Sequence, residues 1–104
     1  MLSRRCEIVL PTRHNDGRPV EPEQHYRTAE ELVARFGAVS YAPDSIRGIW
    51  RHQGVRYEED NLRVFVDVED TPENATFFAR FKETLKSRFG QIDIWIVSYE
   101  IRLT

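Results

Sequence analysis

The sequence predicts an α+β fold with the order β-α-β-β-α-β, the ferredoxin-like arrangement in which two helices cover one face of a four-stranded antiparallel sheet. Three observations predict it. Two segments with apolar residues at helical spacing each end in glycine, alternating segments flank them, and a short Gln53-Gly54 turn joins two extended segments between the helices. Right-handed crossovers place both helices on one face. The length of 104 residues predicts a single domain, residues 1–104.

The first strand is predicted from Cys6 to Leu10, and Pro11 ends it because proline cannot donate to a sheet ladder. The alternation over residues 62–68 predicts the most regular strand, and the last strand runs from Ile92 to about Leu103. The residues expected to face the helices are Cys6, Ile8, Leu10, Leu62, Val64, Val66 and Val68.

The first helix is predicted to begin at Thr28, which forms a capping box with Glu31, and to end at Gly37. Residues 12–27 then form a long polar connection. Loops of this length are often functional or partly disordered, and the sequence leaves both alternatives open.

The second helix has Thr71 as its N-cap and Pro72 in the first helical position, where the missing N–H costs nothing. Gly90 ends it. The basic residues near its C-terminus are stabilised there by the helix dipole. They indicate a helix face exposed to solvent rather than a nucleic-acid patch.

The segment between the helices contains the predicted hairpin. A strand from Ile46 to His52 follows a turn or bulge at Asp44-Ser45, and the return strand begins at Val55. This return strand is expected to be interrupted near residues 59–61. Because the predicted turn has two residues, Gln53 and Gly54, it determines which residues of the two hairpin strands face each other.

In that register Trp50 faces Tyr57 and Arg47 faces Asp60. The hairpin therefore offers a ligand or partner surface built from Trp50, His52, Tyr57 and Asp60. The alternative is a packed hairpin with an ordinary ion pair.

The second face of the predicted sheet stays apolar, which is unusual for a face open to solvent. Its candidate residues are Val9, Phe65, Trp95, Val97 and Tyr99, with the isoleucines of the last strand as the alternative set. An exposed apolar patch of this kind indicates an interface, and a homodimer is the expected partner. Partial cover by the long early loop is the alternative.

Composition excludes several functions. The net charge of −2 disfavours nucleic acid and anionic membranes as partners, and the longest apolar run has only four residues, Ile94 to Val97. One cysteine, Cys6, cannot form an internal disulfide or a cysteine-rich zinc site. With no signal-peptide pattern at the N-terminus, a cytoplasmic location is expected.

No metal or other cofactor is expected, because the three histidines lack metal-ligand spacing and no phosphate-binding or nucleophile motif occurs. The carboxylates of residues 58–60 point to alternate faces of a strand and do not converge.

Several short motifs resemble a family of small uncharacterised bacterial α+β proteins. The matching positions are Phe36-Gly37-x-x-Ser40, Gly48-x-Trp50, Gly54, Tyr57, Asp60 and Phe89-x-Gln91. The chain has Ala38 where that family has a second glycine, and serine at position 40 where threonine is usual. The resemblance implies a compact bacterial α+β protein, and it adds Gln91 to the candidate ligand residues.

The sequence therefore favours a small homodimeric module that binds a small molecule or a protein through the open sheet face and the Trp50 hairpin. The alternative is an enzyme of the small α+β-barrel type. In that case His52, Tyr57 or Asp60 would perform acid–base chemistry in a pocket enclosed by a dimer.

Overall fold

The structure is a computed structural model that describes residues 2–104, apart from the side chains of residues 43–45. The elements are β1 (Ser3–Pro11), α1 (Pro22–Phe36), β2 (Ser40–His52), β3 (Val55–Glu69), α2 (Pro72–Phe89) and β4 (Trp95–Ile101). The strands form one sheet in the order β2-β3-β1-β4, and all neighbouring pairs are antiparallel. An isolated bridge joins Arg13 to Pro19 outside these strands. The predicted α+β class, with two helices and an antiparallel sheet, is confirmed.

Both helices pack on the same face of the sheet. Alternate residues over 6–10 of β1 and 62–68 of β3 are buried there, so the seven predicted core positions from Cys6 to Val68 are confirmed. Leu32 of α1 and the α2 residues Phe81, Leu85 and Phe89 join the same cluster. Within the described residues, neither helix is long and apolar enough to cross a lipid bilayer.

The predicted start of the first helix is wrong, because α1 begins six residues earlier, at Pro22. Pro22 is suited to the first helical turn, and Glu21 at the N-cap makes no side-chain cap. Thr28 is fully buried within the helix, where its Oγ1 donates to the carbonyl of Gln24 at 2.8 Å. The Thr-x-x-Glu spacing arises because Thr28 and Glu31 lie on one helix face, where both bind Arg88.

The connection before α1 is correspondingly shorter than predicted and spans residues 12–21. It is built from turns: His14 N–H donates to the carbonyl of Arg18 at 2.8 Å, and Gly17 N–H donates to the carbonyl of His14 at 2.9 Å. Gly17 has φ +88°, a conformation that glycine adopts without a steric cost.

The second helix agrees with its prediction. The Thr71 hydroxyl accepts from the backbone N–H of Asn74 at 3.2 Å, and Gly90 ends α2 in the left-handed conformation with φ 62°. The last strand is shorter than predicted and begins at Trp95 rather than Ile92. The Asp93 carboxylate accepts from the backbone N–H of Ile94 at 2.9 Å just before the strand.

The hairpin between β2 and β3 has the predicted register, with Trp50 opposite Tyr57 and Arg47 opposite Asp60. Gln53 and Gly54 both have positive φ, as the tight two-residue turn requires. The predicted irregularity before Ile46 is present as a register shift after Ala42. However, β2 begins at Ser40, and β3 continues without the predicted interruption.

The hairpin extends well beyond the rest of the sheet. β1 ends at Pro11, opposite Asn61, whereas β2 and β3 remain paired as far as His52 and Val55. Residues 46–60, called the ribbon below, therefore extend about 20 Å past the end of β1 at the usual rise per residue.

Arg88 joins the two helices and generates a stability prediction. Its side chain is only 5% exposed, and it donates to Thr28 Oγ1 at 2.9 Å and to Glu31 Oε1 at 2.6 Å. Arg88→Gln should lower the free energy of unfolding by about 2 kcal/mol, because it removes charge-assisted bonds from a buried site. Urea denaturation measures the change.

Arg27→Gln is the matched control, since Arg27 donates to the same Glu31 oxygen at 3.2 Å but is 67% exposed. It should cost less than about 0.5 kcal/mol. Equal losses in the two variants would contradict the role of burial.

Candidate functional site

The ribbon presents an aromatic stack. The rings of Trp50 and Tyr57 lie 4.5 Å apart between centroids, with an interplanar angle of 18°. His52 lies nearer the tip, with its ring centroid 6.1 Å from that of Trp50. Strand alternation places all three side chains on one face of the ribbon.

The connection of residues 12–21 folds beside the ribbon and fixes Gln91. The Asn15 side-chain amide donates to the carbonyl of Gly90 at 2.9 Å. Gln91 Nε2 donates to Asn15 Oδ1 at 3.3 Å and to the carbonyl of Phe89 at 3.2 Å. The end of α2 and the loop are thus held together next to the hairpin.

Two adjoining cavities result. The loop-side cavity, of about 560 Å³, lies between the ribbon and residues 13–17 of the connection. The sheet-side cavity, of about 680 Å³, lies between the ribbon and the start of β4 at Trp95. Both volumes are in the range of small-molecule sites. The residues that line both cavities are Pro11, Arg47, Trp50, Glu59 and Gln91.

Ion pairs occupy the other face of the ribbon. Arg47 lies 3.2 Å from Asp60 Oδ1 and 3.8 Å from Glu58 Oε1, and Arg56 lies 3.7 Å from Glu58. All of these groups are substantially exposed, so each pair contributes little to stability. Their effect is to neutralise Arg47 where the two cavities meet.

The helix-free face of the sheet carries all five predicted interface residues, Val9, Phe65, Trp95, Val97 and Tyr99. The isoleucine alternative is wrong, because Ile94 is buried and Ile96 packs against the core. Trp95 is 69% exposed, and Tyr99 is 44% exposed.

Charged residues lie between these apolar positions, which the sequence analysis left out. Arg5 binds Asp67 through two bonds of 2.7 and 3.0 Å, and its guanidinium lies 4.5 Å from the Phe65 ring centroid. Arg63 Nη1 lies 3.9 Å from Glu7 Oε1. Arg63 Nε is buried without a hydrogen-bond acceptor among the described residues.

Of the candidate ligand residues, Trp50, Tyr57, Asp60 and Gln91 all line the loop-side cavity. His52 lies outside it, at the ribbon tip. The loop residues around Asn15 were not among the predicted site residues, although the Asn-Asp-Gly sequence at positions 15–17 is typical of a turn.

Glu59 was also missed as a site residue, because the alternation of residues 58–60 was interpreted only as evidence against a carboxylate cluster. The register of the structure agrees with that alternation. Glu59 shares its face with Trp50 and Tyr57, whereas Glu58 and Asp60 face the other way.

The remaining titratable candidates do not form a reactive centre. Cys6 is buried, and burial raises the pKa of its thiol to about 11, so the thiolate needed for reactivity is disfavoured. His14 lies 2.9 Å from Glu21, and His25 lies 2.8 Å from the carbonyl of Pro11 and stacks on Phe89. Among the described side chains, no three His, Cys, Asp or Glu residues converge on a metal position.

Comparison with solved structures shows what this fold is similar to. Divalent cation tolerance protein CutA1 from Thermus thermophilus aligns over 98% of this chain and 86% of its own, with 21% identity and a TM-score of 0.66. CutA1 from Oryza sativa aligns over 100% and 84%, with 11% identity and a TM-score of 0.68.

A phage SAM lyase, solved in complex with S-methyl-5'-thioadenosine, aligns over 97% of this chain and 90% of its own, with 14% identity and a TM-score of 0.67. No protein-family model matches the sequence. No curated protein matches it either. At these identities the similarity shows a shared fold.

The Arg5–Asp67 pair generates a pH prediction. The hydrogen bond from Arg5 lowers the pKa of Asp67 below its ordinary value of 3.8. The pair therefore contributes its full stability above that value and loses it as the pH falls through the lowered pKa. Asp67→Asn should be destabilising at neutral pH, and its difference from the wild-type protein should shrink in acid.

Urea denaturation at neutral pH and at about pH 2.5, below the ordinary aspartate range, measures this difference. Glu100→Gln is the control, since Glu100 is 73% exposed and lies 4.0 Å from its nearest arginine nitrogen. A destabilisation by Asp67→Asn that stays constant with pH would contradict the assignment.

Proposed function

We propose that this protein is a ferredoxin-like, self-associating binding module that holds a small molecule with a planar ring between its ribbon and the residue 12–21 connection. The observation that carries the proposal is the aromatic stack of Trp50 and Tyr57 in the wall of a cavity of suitable size. Aromatic side chains provide a stacking surface for flat ring systems.

The polar groups around the stack suit the edge of such a ring. Gln91 uses its N–H groups on Asn15 and Phe89, which leaves its Oε1 as an acceptor. The SAM lyase that shares the fold was solved with a ligand that contains an adenine ring, which supports a nucleoside as the first probe.

Self-association is proposed for the helix-free face, with a second copy of the chain as the partner. The face carries two arginines and two carboxylates, Arg5, Arg63, Glu7 and Asp67, among its apolar residues. This balance of charge suits a surface that packs against itself better than a strongly charged partner.

The ribbon supports the same partner, because an isolated two-stranded hairpin is marginally stable in water. The carbonyl of Asp60 points to the β1 side, where it accepts from Thr12 N–H at 3.1 Å. In a strand, the N–H and C=O groups of every second residue point to the same edge. The backbone groups of Glu58 and Arg56 therefore point to the same edge as those of Asp60, at positions beyond the end of β1. A second copy would cover this edge.

The enzyme alternative has less support, since His52 lies at the ribbon tip while Tyr57 and Asp60 line the loop-side cavity. A dimer as the specific assembly, a cytoplasmic location and the bacterial family resemblance stay predictions.

The oligomer prediction is tested by light scattering coupled to size exclusion. The wild-type protein should elute at a multiple of the 12.3 kDa chain mass, and Trp95→Lys should shift it towards the monomer. Tyr26→Lys is the matched control, because Tyr26 is also an aromatic residue with 69% exposure but lies on α1. A wild-type mass of 12.3 kDa would overturn self-association.

The ligand prediction uses S-methyl-5'-thioadenosine and adenosine as probes, with binding followed by calorimetry and by the indole NMR signals. The Trp50 signal should shift, and Trp50→Leu should weaken binding about tenfold or more, because base stacking is worth about 1–3 kcal/mol. Tyr26→Leu should bind as the wild-type protein does. Binding unaffected by Trp50→Leu, or no binding of either probe, would count against the site.

A further inference from the structure

We infer that the ligand of the ribbon site carries a positive charge: the site is built for a small organic cation, held by the Glu59 carboxylate and the Trp50 ring. This inference rests on the proposed function and specifies its ligand class. It depends on the ion pairs, the missing side chain at Gly48 and the charge of the cavity wall.

Glu59 is the carboxylate of residues 58–60 that has no charged partner among the described side chains. Glu58 lies within 4 Å of Arg47 and Arg56, and Asp60 lies 3.2 Å from Arg47. Glu59 forms no ion pair or hydrogen bond with any side chain that the structure describes. It is nevertheless half-buried and lines both cavities.

A glycine lies across from Glu59. Gly48 is the cross-strand partner of Glu59, between Ile46 and Trp50 on the same face of β2. A Cβ at position 48 would lie 3.1 Å from Asn61 Nδ2, closer than most such contacts allow. Glu59 therefore faces a position that has no side chain of its own, with the Asn61 amide packed on one side of it and the rings of Trp50 and Tyr57 on the other.

The charge of the loop-side lining favours a cation over an anion, whereas the sheet-side lining is balanced, with Lys82 bound to Asp93. The loop-side cavity has three carboxylates, at residues 58–60, and two guanidinium groups, those of Arg13 and Arg47. Arg47 is already bound to carboxylates, and His14 is paired with Glu21. An ammonium group would gain both the Glu59 charge and the face of Trp50, the ring that attracts cations most strongly.

An organic cation fits better than a divalent metal. A hard metal ion needs six or more oxygen ligands, and the alternating carboxylates of residues 58–60 cannot supply them from one face. Gln91 Oε1 and Glu59 are instead two acceptors beside an aromatic wall, which suits an ammonium or methylated ammonium group.

The test compares choline with dimethylbutanol, its uncharged isostere of nearly the same shape. Each compound is titrated into the intact protein while the indole NMR signals are followed. Choline should shift the Trp50 signal and bind at least about tenfold more tightly than dimethylbutanol. Glu59→Gln should remove this preference while leaving the fold intact, as judged by the remaining amide spectrum.

Glu69→Gln is the matched control, because Glu69 lies on the same strand and the same face but at the far end of β3. It should keep the preference for choline. Trp50→Leu should reduce choline binding, which tests the aromatic wall independently of the carboxylate.

Equal binding of choline and dimethylbutanol, or no choline binding at millimolar concentration, would overturn the inference. So would a site that responds to Ca²⁺ but not to choline. If adenosine binds and choline does not, the proposed function stands and the cation inference fails. If neither binds, both fail.

Discussion

The early end of β1 is the constraint on which the rest of the site depends. Pro11 faces Asn61, and the chain then turns away into the residue 12–21 connection after Thr12 bonds to the Asp60 carbonyl. β2 and β3 continue without a third strand, so their ribbon has one edge that β1 does not cover. The connection and Gln91 line a cavity against the ribbon, but among the described residues no backbone bond from the connection reaches that edge beyond Asp60.

The placement of the helices creates the second feature. Both α1 and α2 pack into one core, which leaves the opposite sheet face uncovered by helix. That face combines exposed aromatic residues such as Trp95 with the Arg5–Asp67 pair and with Arg63, whose Nε has no acceptor among the described residues. An uncovered face and an uncovered ribbon edge on the same molecule both favour one explanation, a second copy of the chain.

The sequence predicted what local patterns determine and missed what tertiary contacts determine. The hairpin register followed from Gln53-Gly54, and the core face of β1 and β3 followed from strand alternation. The start of α1 did not, because Thr28 is held inside the helix by Arg88, a contact sixty residues away in sequence. The pairing of Arg47 with Asp60 also followed from the predicted register, whereas the lack of an arginine partner for Glu59 among the described residues is visible only in the fold.

The most direct test of this account is amide hydrogen exchange at Arg56 and Glu58, measured across a range of protein concentrations. Their N–H groups point to the ribbon edge beyond Pro11, where β1 cannot protect them. If a second copy covers this edge, the two amides should exchange slowly in concentrated solution and faster on dilution. Fast exchange at every concentration would contradict the claim that self-association completes the structure.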